Sequence, residues 1–275
     1  AGITVTTANP TAGTAIDTVT ITSLPANITF ALSITAEKIN LNPSLVRANS
    51  ITLVGNVTLG NDVTLQTNSN GAVSVTGTID GDGVTARDLT FVLGTGTGTV
   101  TGAVGGTTAL DAFNVNSGAV TLNNGLRADS GVVGTAAAAV AATGSLTVTA
   151  GAVTIGNGDG NFDIGLNTGG ANTTGTVNFV GASAVTINVA TMRLGNTPTA
   201  VAGTAEGDLI LSTVGTNAIT ANTIVIGNSP SPGNTGLISS IPFGMTNNVA
   251  VPTMTVGGQK SEGSVTIASG GTLSM

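Results

Sequence analysis

The chain has 275 residues, room for one all-β unit or two ordinary domains, and the absence of Cys and His excludes a disulfide framework, thiolate metal sites and thiol or histidine catalysis. A net charge of -7 with six basic residues removes the electrostatic basis for binding nucleic acid or an anionic membrane. A mean hydropathy of +0.42 excludes disorder, and with 2% aromatics, no Trp and no Tyr, any core must be built from Val, Ile, Leu, Ala and six Phe.

Pro10, Pro25 and Pro43 punctuate the start of the chain. Proline cannot donate to a ladder, so residues 1–43 are read as an N-terminal cap or irregular turns. From Ser44 to Thr197 there is no proline. Apolar-x-apolar triplets begin there: Ile51-Thr52-Leu53, Val57-Thr58-Leu59 and Val63-Thr64-Leu65 follow one another every six residues. On a strand each triplet sends two branched apolar groups to one face and Thr to the other. The phrase recurs at Val73/Val75, Leu89/Phe91, Val120/Leu122, Leu146/Val148, Val153/Ile155, Val177/Phe179 and Val185/Ile187/Val189. Asn70-Gly71, Asp80-Gly81, Asp82-Gly83, Gly105-Gly106, Asn124-Gly125 and Gly169-Gly170 stand between, residue pairs that tolerate the positive φ of tight corners.

These features predict an all-β chain, a parallel β-helix (β-solenoid), with the triplets stacked as successive turns. At about 20 residues per turn the chain makes roughly a dozen to fourteen turns, a rod of roughly 60 Å. An antiparallel sandwich remains the alternative, because Asn-Gly and Asp-Gly also close hairpins. Residues 135–143 are the one helix-permissive stretch, short for an independent helix. No run of about 18 apolar residues exists to span a bilayer as a helix. Residues 44–197 are read as the regular turns and 198–275, with Pro198, Pro230, Pro232, Pro242 and Pro252, as irregular turns, a cap or an assembly segment.

Among polar constellations, Asp159, Asn161 and Asp163 reproduce the D-x-N-x-D opening of a calcium loop, and calcium is the one cofactor the sequence suggests. The pattern then departs from that loop, with Ile164 where the sharp turn needs Gly and Gly170 where a bidentate Glu belongs. Glu37 with Lys38, Arg87 with Asp88, and Arg127 with Asp129 are expected to pair locally on the surface. Glu206 and Asp208 can share one strand face, the closest approach to the carboxylate pair a β-helical polysaccharide enzyme needs. No nucleophile–histidine arrangement is possible, so the expected class is non-catalytic. Thr95, Thr97 and Thr99, two apart, define a third surface, of the kind that orders water in ice-binding solenoids. In the tail, Ile241, Phe243, Met245, Val251 and Met254 gather larger apolar groups and are the candidate assembly residues, either a cap or a segment entering a neighbouring copy.

Residues 32–42, 72–81, 102–124 and 221–228 resemble the repeats of large bacterial β-strand-repeat surface proteins of the filamentous-haemagglutinin and autotransporter-passenger type. The resemblance implies a secreted, right-handed parallel β-helix at the cell surface, serving as adhesin, stalk or matrix fibre, with self-association and surface or matrix polysaccharide as its partners. No secretion domain or membrane-barrel segment of that type is recognisable in this sequence.

Overall fold

The computed structural model describes residues 2–6, 16–26, 28–68, 70–136, 141–198, 201–229, 238–259, 261–267, 269 and 271–275. Among these residues there is no helix, and all strands join one long parallel sheet. In chain order the strands are β1 (Gly2–Thr6), β2 (Thr18–Ile21), β3 (Ala31–Leu41), β4 (Leu45–Ala48), β5 (Ser50–Leu59), β6 (Val63–Thr67), β7 (Val73–Val75), β8 (Ile79–Gly81), β9 (Leu89–Val100), β10 (Leu110–Leu122), β11 (Leu126–Ala136) and β12 (Ala142–Val148). They continue with β13 (Ala152–Ile155), β14 (Asn161–Asn167), β15 (Thr173–Asn178), β16 (Ala184–Asn196), β17 (Ala205–Ile210), β18 (Thr216–Ser229), β19 (Ile238–Phe243), β20 (Thr246–Ala250), β21 (Thr253–Gln259), β22 (Glu262–Ile267) and β23 (Thr272–Ser274).

The chain visits three columns in strict rotation. The first stacks β1, the starts of β3 and β5, β7, the ends of β9 and β10, β12, β15, β17, β19 and β22. The second stacks β2, the ends of β3 and β5, β8, Val104, the start of β11, β13, the starts of β16 and β18, β20 and β23. The third stacks β4, β6, the starts of β9 and β10, the end of β11, β14, the ends of β16 and β18, and β21. This pairing is consistent with the expected β-solenoid and excludes the antiparallel sandwich.

One expectation is corrected. The triplets at Ile51, Val57 and Val63 are not successive turns; they are the three sides of a single circuit, pairing onward with Val73, Ile79 and Leu89. Six residues cannot bring a chain back beside itself in parallel, because a parallel crossover needs a dozen or more. Nor is the circuit constant: Ala31 pairs with Ser50, Leu89 with Phe113, Phe113 with Gly131, Ala184 with Thr216 and Ile238 with Glu262, so the interval varies between eighteen and thirty-two residues and is longest over the later circuits. Among the described residues the first column therefore holds eleven levels, against the dozen to fourteen expected, and spans about 50 Å.

Within each strand burial alternates. Ile51 and Leu53 are 0% exposed with Thr52 between them on the outer side. Each fully buried Val, Leu or Ile contributes about 1.5–3 kcal/mol, and the stack repeats that gain at every level. Phe91 and Phe113 lie at adjacent levels of the third column with ring centroids 5.8 Å apart. Gly131 separates Phe113 from Phe162 in the same file, where the next ring lies against the glycine backbone. Asn70, Gly83, Gly105, Gly125 and Gly170 adopt the positive φ expected of corners, whereas Gly81 ends a strand. Pro242 lies inside β19, and between β17 and β19 only Asp208 and Ser240 pair among the described residues: past them Pro242 has no N–H to give, and before them the Gly207 amide donates to Ser239 Oγ at 3.1 Å. Of the helix-permissive stretch, residues 135–136 end β11 and 142–143 open β12, while 137–140 lie outside the described residues.

Glycine contacts line the corners of early and late circuits alike: in the early ones a Cβ at Gly77 would overlap the Gly55 carbonyl and one at Gly96 the Gly71 carbonyl. Where the third column hands over to the first, paired glycines let backbones touch: Gly165 with Gly175, and Gly195 with Gly207. A Cβ at Gly207 would overlap the Ile164 carbonyl and the Gly195 amide. Gly165 and Gly195 also have φ of 69° and 59°. Beyond this pinch the chain packs through small polar groups. Asn167, Thr173, Asn196 and Thr197 are buried, Asn167 Nδ2 donates to the Ala202 carbonyl at 3.2 Å, and Asn228 Nδ2 donates to Asn196 Oδ1 at 3.3 Å.

Candidate functional surfaces

The calcium motif is pulled apart by the strand it opens. Asp159 is exposed in the preceding turn, its amide donating to Asn157 Oδ1 at 3.2 Å, and Asn161 is exposed at the first position of β14. Asp163, two residues on, has a side chain 5% exposed, and both of its oxygens accept from Arg193, Nε at 2.5 Å and Nη2 at 2.6 Å. The guanidinium, one level along the third column, occupies the place a cation would take. No group of three or more His, Cys, Asp or Glu that could hold a metal exists among the described residues.

The expected neighbour pairings give way to longer ones. Arg87 bonds Asp82, Nη2 to Oδ2 at 2.6 Å, and not Asp88. Asp88 instead accepts the Ala112 amide at 3.0 Å, while its own amide donates to Asp62 Oδ1 at 3.1 Å. Burial, with the charges of Asp62 and Asp111, raises the Asp88 pKa. Neither Glu37 with Lys38 nor Arg127 with Asp129 forms an ion pair among the described residues. The Arg193–Asp163 pair, thirty residues apart, had no local signal; only the circuit length could have revealed it.

Glu206 and Asp208 do share the outer side of β17. Burial and the Asp208 charge raise the Glu206 pKa, and Ser240 Oγ donates to Asp208 Oδ1 at 2.6 Å. Thr95, Thr97 and Thr99 are all exposed, with Gly96 and Gly98 buried between them. Thr99 belongs to a hydroxyl file, Ser33, Thr52, Ser74, Thr99, Thr121 and Thr147, in register over six levels of the first column.

The five assembly candidates separate. Ile241 and Phe243 fill the chain's own core at 0% and 1% exposure, in register with Val265 and Ile267. Val251 and Met254 are half-buried against that core, and Met245 is 44% exposed. The apolar surface left open lies one level further on. Ile226 and Phe243 are buried, but the residues stacked on them, Val256 and Ile267, are 41% and 47% exposed, with Val265 and Leu273 half-buried beside them. At the opposite end Ile3, Val5, Val19 and Ile21 cover Leu32, Ile34, Ile39 and Leu41 and are themselves half-buried.

A polar concavity lies along the second column near the N-terminal end. Two adjoining hollows of about 510 and 520 Å³ share Lys38, Thr58 and Asp82. No helix among the described residues is long and apolar enough to cross a membrane. Compared with known proteins, the chain matches no family model, no curated relative and no solved structure.

Proposed function

We propose that this chain is a β-solenoid acting as a non-catalytic, extracellular structural or adhesive rod of the filamentous-haemagglutinin or autotransporter-passenger style, joined end to end into a stalk or fibre. The supporting observation is the last level: Val256 continues a file buried at every level from Val46 to Ile226, and Ile267 stacks on the buried Phe243, yet the two stand 41% and 47% exposed. What fits such an end is one more parallel level. A second copy offers it, since β1 and β2 bring Ile3, Val5, Val19 and Ile21 to the first and second columns, where β22 and β23 await partners. Such head-to-tail contact does not close on itself, and so propagates. The outward carboxylate pair on β17 does not argue for catalysis, because the hollows lie elsewhere, along the second column.

Removing residues 239–275 only moves the open end back to an earlier level, so charge placed at the end is the sharper test. Electron microscopy of the purified chain over a concentration series should give filaments. Val256→Lys with Ile267→Lys at one end, or Val5→Lys at the other, should each leave single rods with unchanged circular dichroism. Single rods of the unaltered chain at every concentration sink the proposal.

A further inference from the structure

The two hollows form one polar groove with a repeating floor. Thr20, Asn40, Thr58 and Asp80 pair in register, one outward polar group per level of the second column. Its wall is fastened to the backbone. Asp82 Oδ1 accepts the amides of Val84 and Thr85 at 3.0 and 3.2 Å, its Oδ2 takes Arg87, and Asp80 Oδ1 accepts the Thr107 amide at 2.8 Å. These carboxylates are spent on holding shape. Lys38 and Asn42, exposed, and Thr58, half-buried, line the groove with side chains that make no hydrogen bond among the described residues. A fixed frame surrounding unspent donors and acceptors is the pattern of a ligand site, and each hollow has the volume of one.

We infer that this groove binds a neutral polysaccharide strand lying along the solenoid axis. Sugar hydroxyls both give and take hydrogen bonds, which matches an ammonium, an amide and a hydroxyl side by side. Glu37, Asp80 and Asp82 outnumber Lys38 and the Asp82-bound Arg87, and the acidic balance disfavours polyanions. The floor repeats every ~4.8 Å, a spacing comparable to one pyranose unit, so successive levels meet successive sugars. With no aromatic ring in the lining there is no stacking, so affinity is modest and polar. The groove lies on the side of the rod, and its binding does not depend on end-to-end joining.

Calorimetric titration tests it on the Val256→Lys, Ile267→Lys chain, so that assembly and binding fail separately. The probes are cellohexaose, xylohexaose and chitohexaose, with polygalacturonate as the anionic comparison. Saturable millimolar or tighter binding of a neutral probe is expected, weakened about tenfold by Thr58→Val or by Asn42→Ala, each the loss of about one good hydrogen bond. Thr154→Val, on the same column outside the groove, should leave binding unchanged. No saturable binding of any neutral probe, stronger binding of polygalacturonate, or indifference to both groove variants overturns the inference.

Discussion

The early circuits and the late circuits solve one problem in two ways. Between Ala31 and Gly81 the chain returns after eighteen to twenty-two residues, and its corners are short turns. Between Ala142 and Ser229 it returns after thirty to thirty-two, and the surplus lies beyond a backbone-to-backbone glycine pinch. The three-sided core is unchanged: Leu53 and Ile187 are both 0% exposed. Added length is therefore absorbed at one corner, and what it brings there is buried polar packing, not more apolar core. Both sets of corners need glycine where backbones touch, at Gly55, Gly71 and Gly77 early and at Gly175 and Gly207 late; the early ones add carboxylate acceptors such as Asp62 and Asp88, the late ones amide side chains such as Asn167 and Asn172.

The largest expected effect sets a crowded late glycine against an open early one. Gly207→Val drives a branched side chain into the Ile164 carbonyl and the Gly195 amide, and neither backbone can give without breaking its ladder. A loss of about 4 kcal/mol or more is expected, enough to unfold the later circuits. Gly83→Ala, in an early corner, meets only Thr108 Oγ1 at 3.8 Å, and its cost is confined to the positive φ of 76°, about 1 kcal/mol. Hydrogen exchange resolves the two, because solenoid levels open locally. Gly207→Val should expose the amides of β15, β17 and β19 while those of β3 to β6 stay protected; equal protection in both variants would remove the distinction between corners.

Next in size is Arg193→Met. It leaves a carboxylate 5% exposed without its bidentate partner, and since the guanidinium is itself 27% exposed, the cost is discounted to about 2 kcal/mol. The double variant Arg193→Met, Asp163→Leu should recover most of the lost melting temperature. If the double variant melts no higher than the single one, the pair is not what stabilises that level.

A smaller, local effect belongs to the early region. The Arg87 guanidinium, with the amides of Val84 and Thr85, holds the Asp82 pKa at about 2, below the ordinary 3.8. A group depressed in the folded state contributes stability that is full above the unfolded value and lost as pH falls through the folded one. The groove wall is therefore expected to hold at pH 5 and to loosen as pH falls from about 4 toward 2. Exchange rates of the Val84 and Thr85 amides should rise in that window, and Asp82→Asn should abolish the change.

Much of the fold was legible because strand alternation is local. Ile51, Leu53, Val57 and Leu59 announce their burial through their immediate neighbours. What sequence could not supply was the return distance, since parallel pairing joins residues a full circuit apart and nothing near Asp163 points to Arg193. The same blindness made three sides of one turn look like three turns. Gly165 with Gly175 and Gly195 with Gly207 were visible as glycines but unreadable as partners, because neighbouring turns also demand glycine. The candidate groove was hidden for a related reason: Thr20, Asn40, Thr58 and Asp80 lie about twenty residues apart, and only stacking lines them up.

The smallest expected effect is none at all. Asp159, Asn161 and Asp163 carry the spacing of a calcium loop, but β14 keeps the last two extended, and Arg193 occupies both Asp163 oxygens. A cation would have to displace a guanidinium already in bidentate contact, leaving that charge half-buried and unpaired. Millimolar calcium should therefore leave the melting temperature unchanged. Arg193→Met separates geometry from occupancy: if calcium then restores stability, the oxygens can converge and the arginine was only competing for them; if it does not, the extended strand itself keeps the ligands apart.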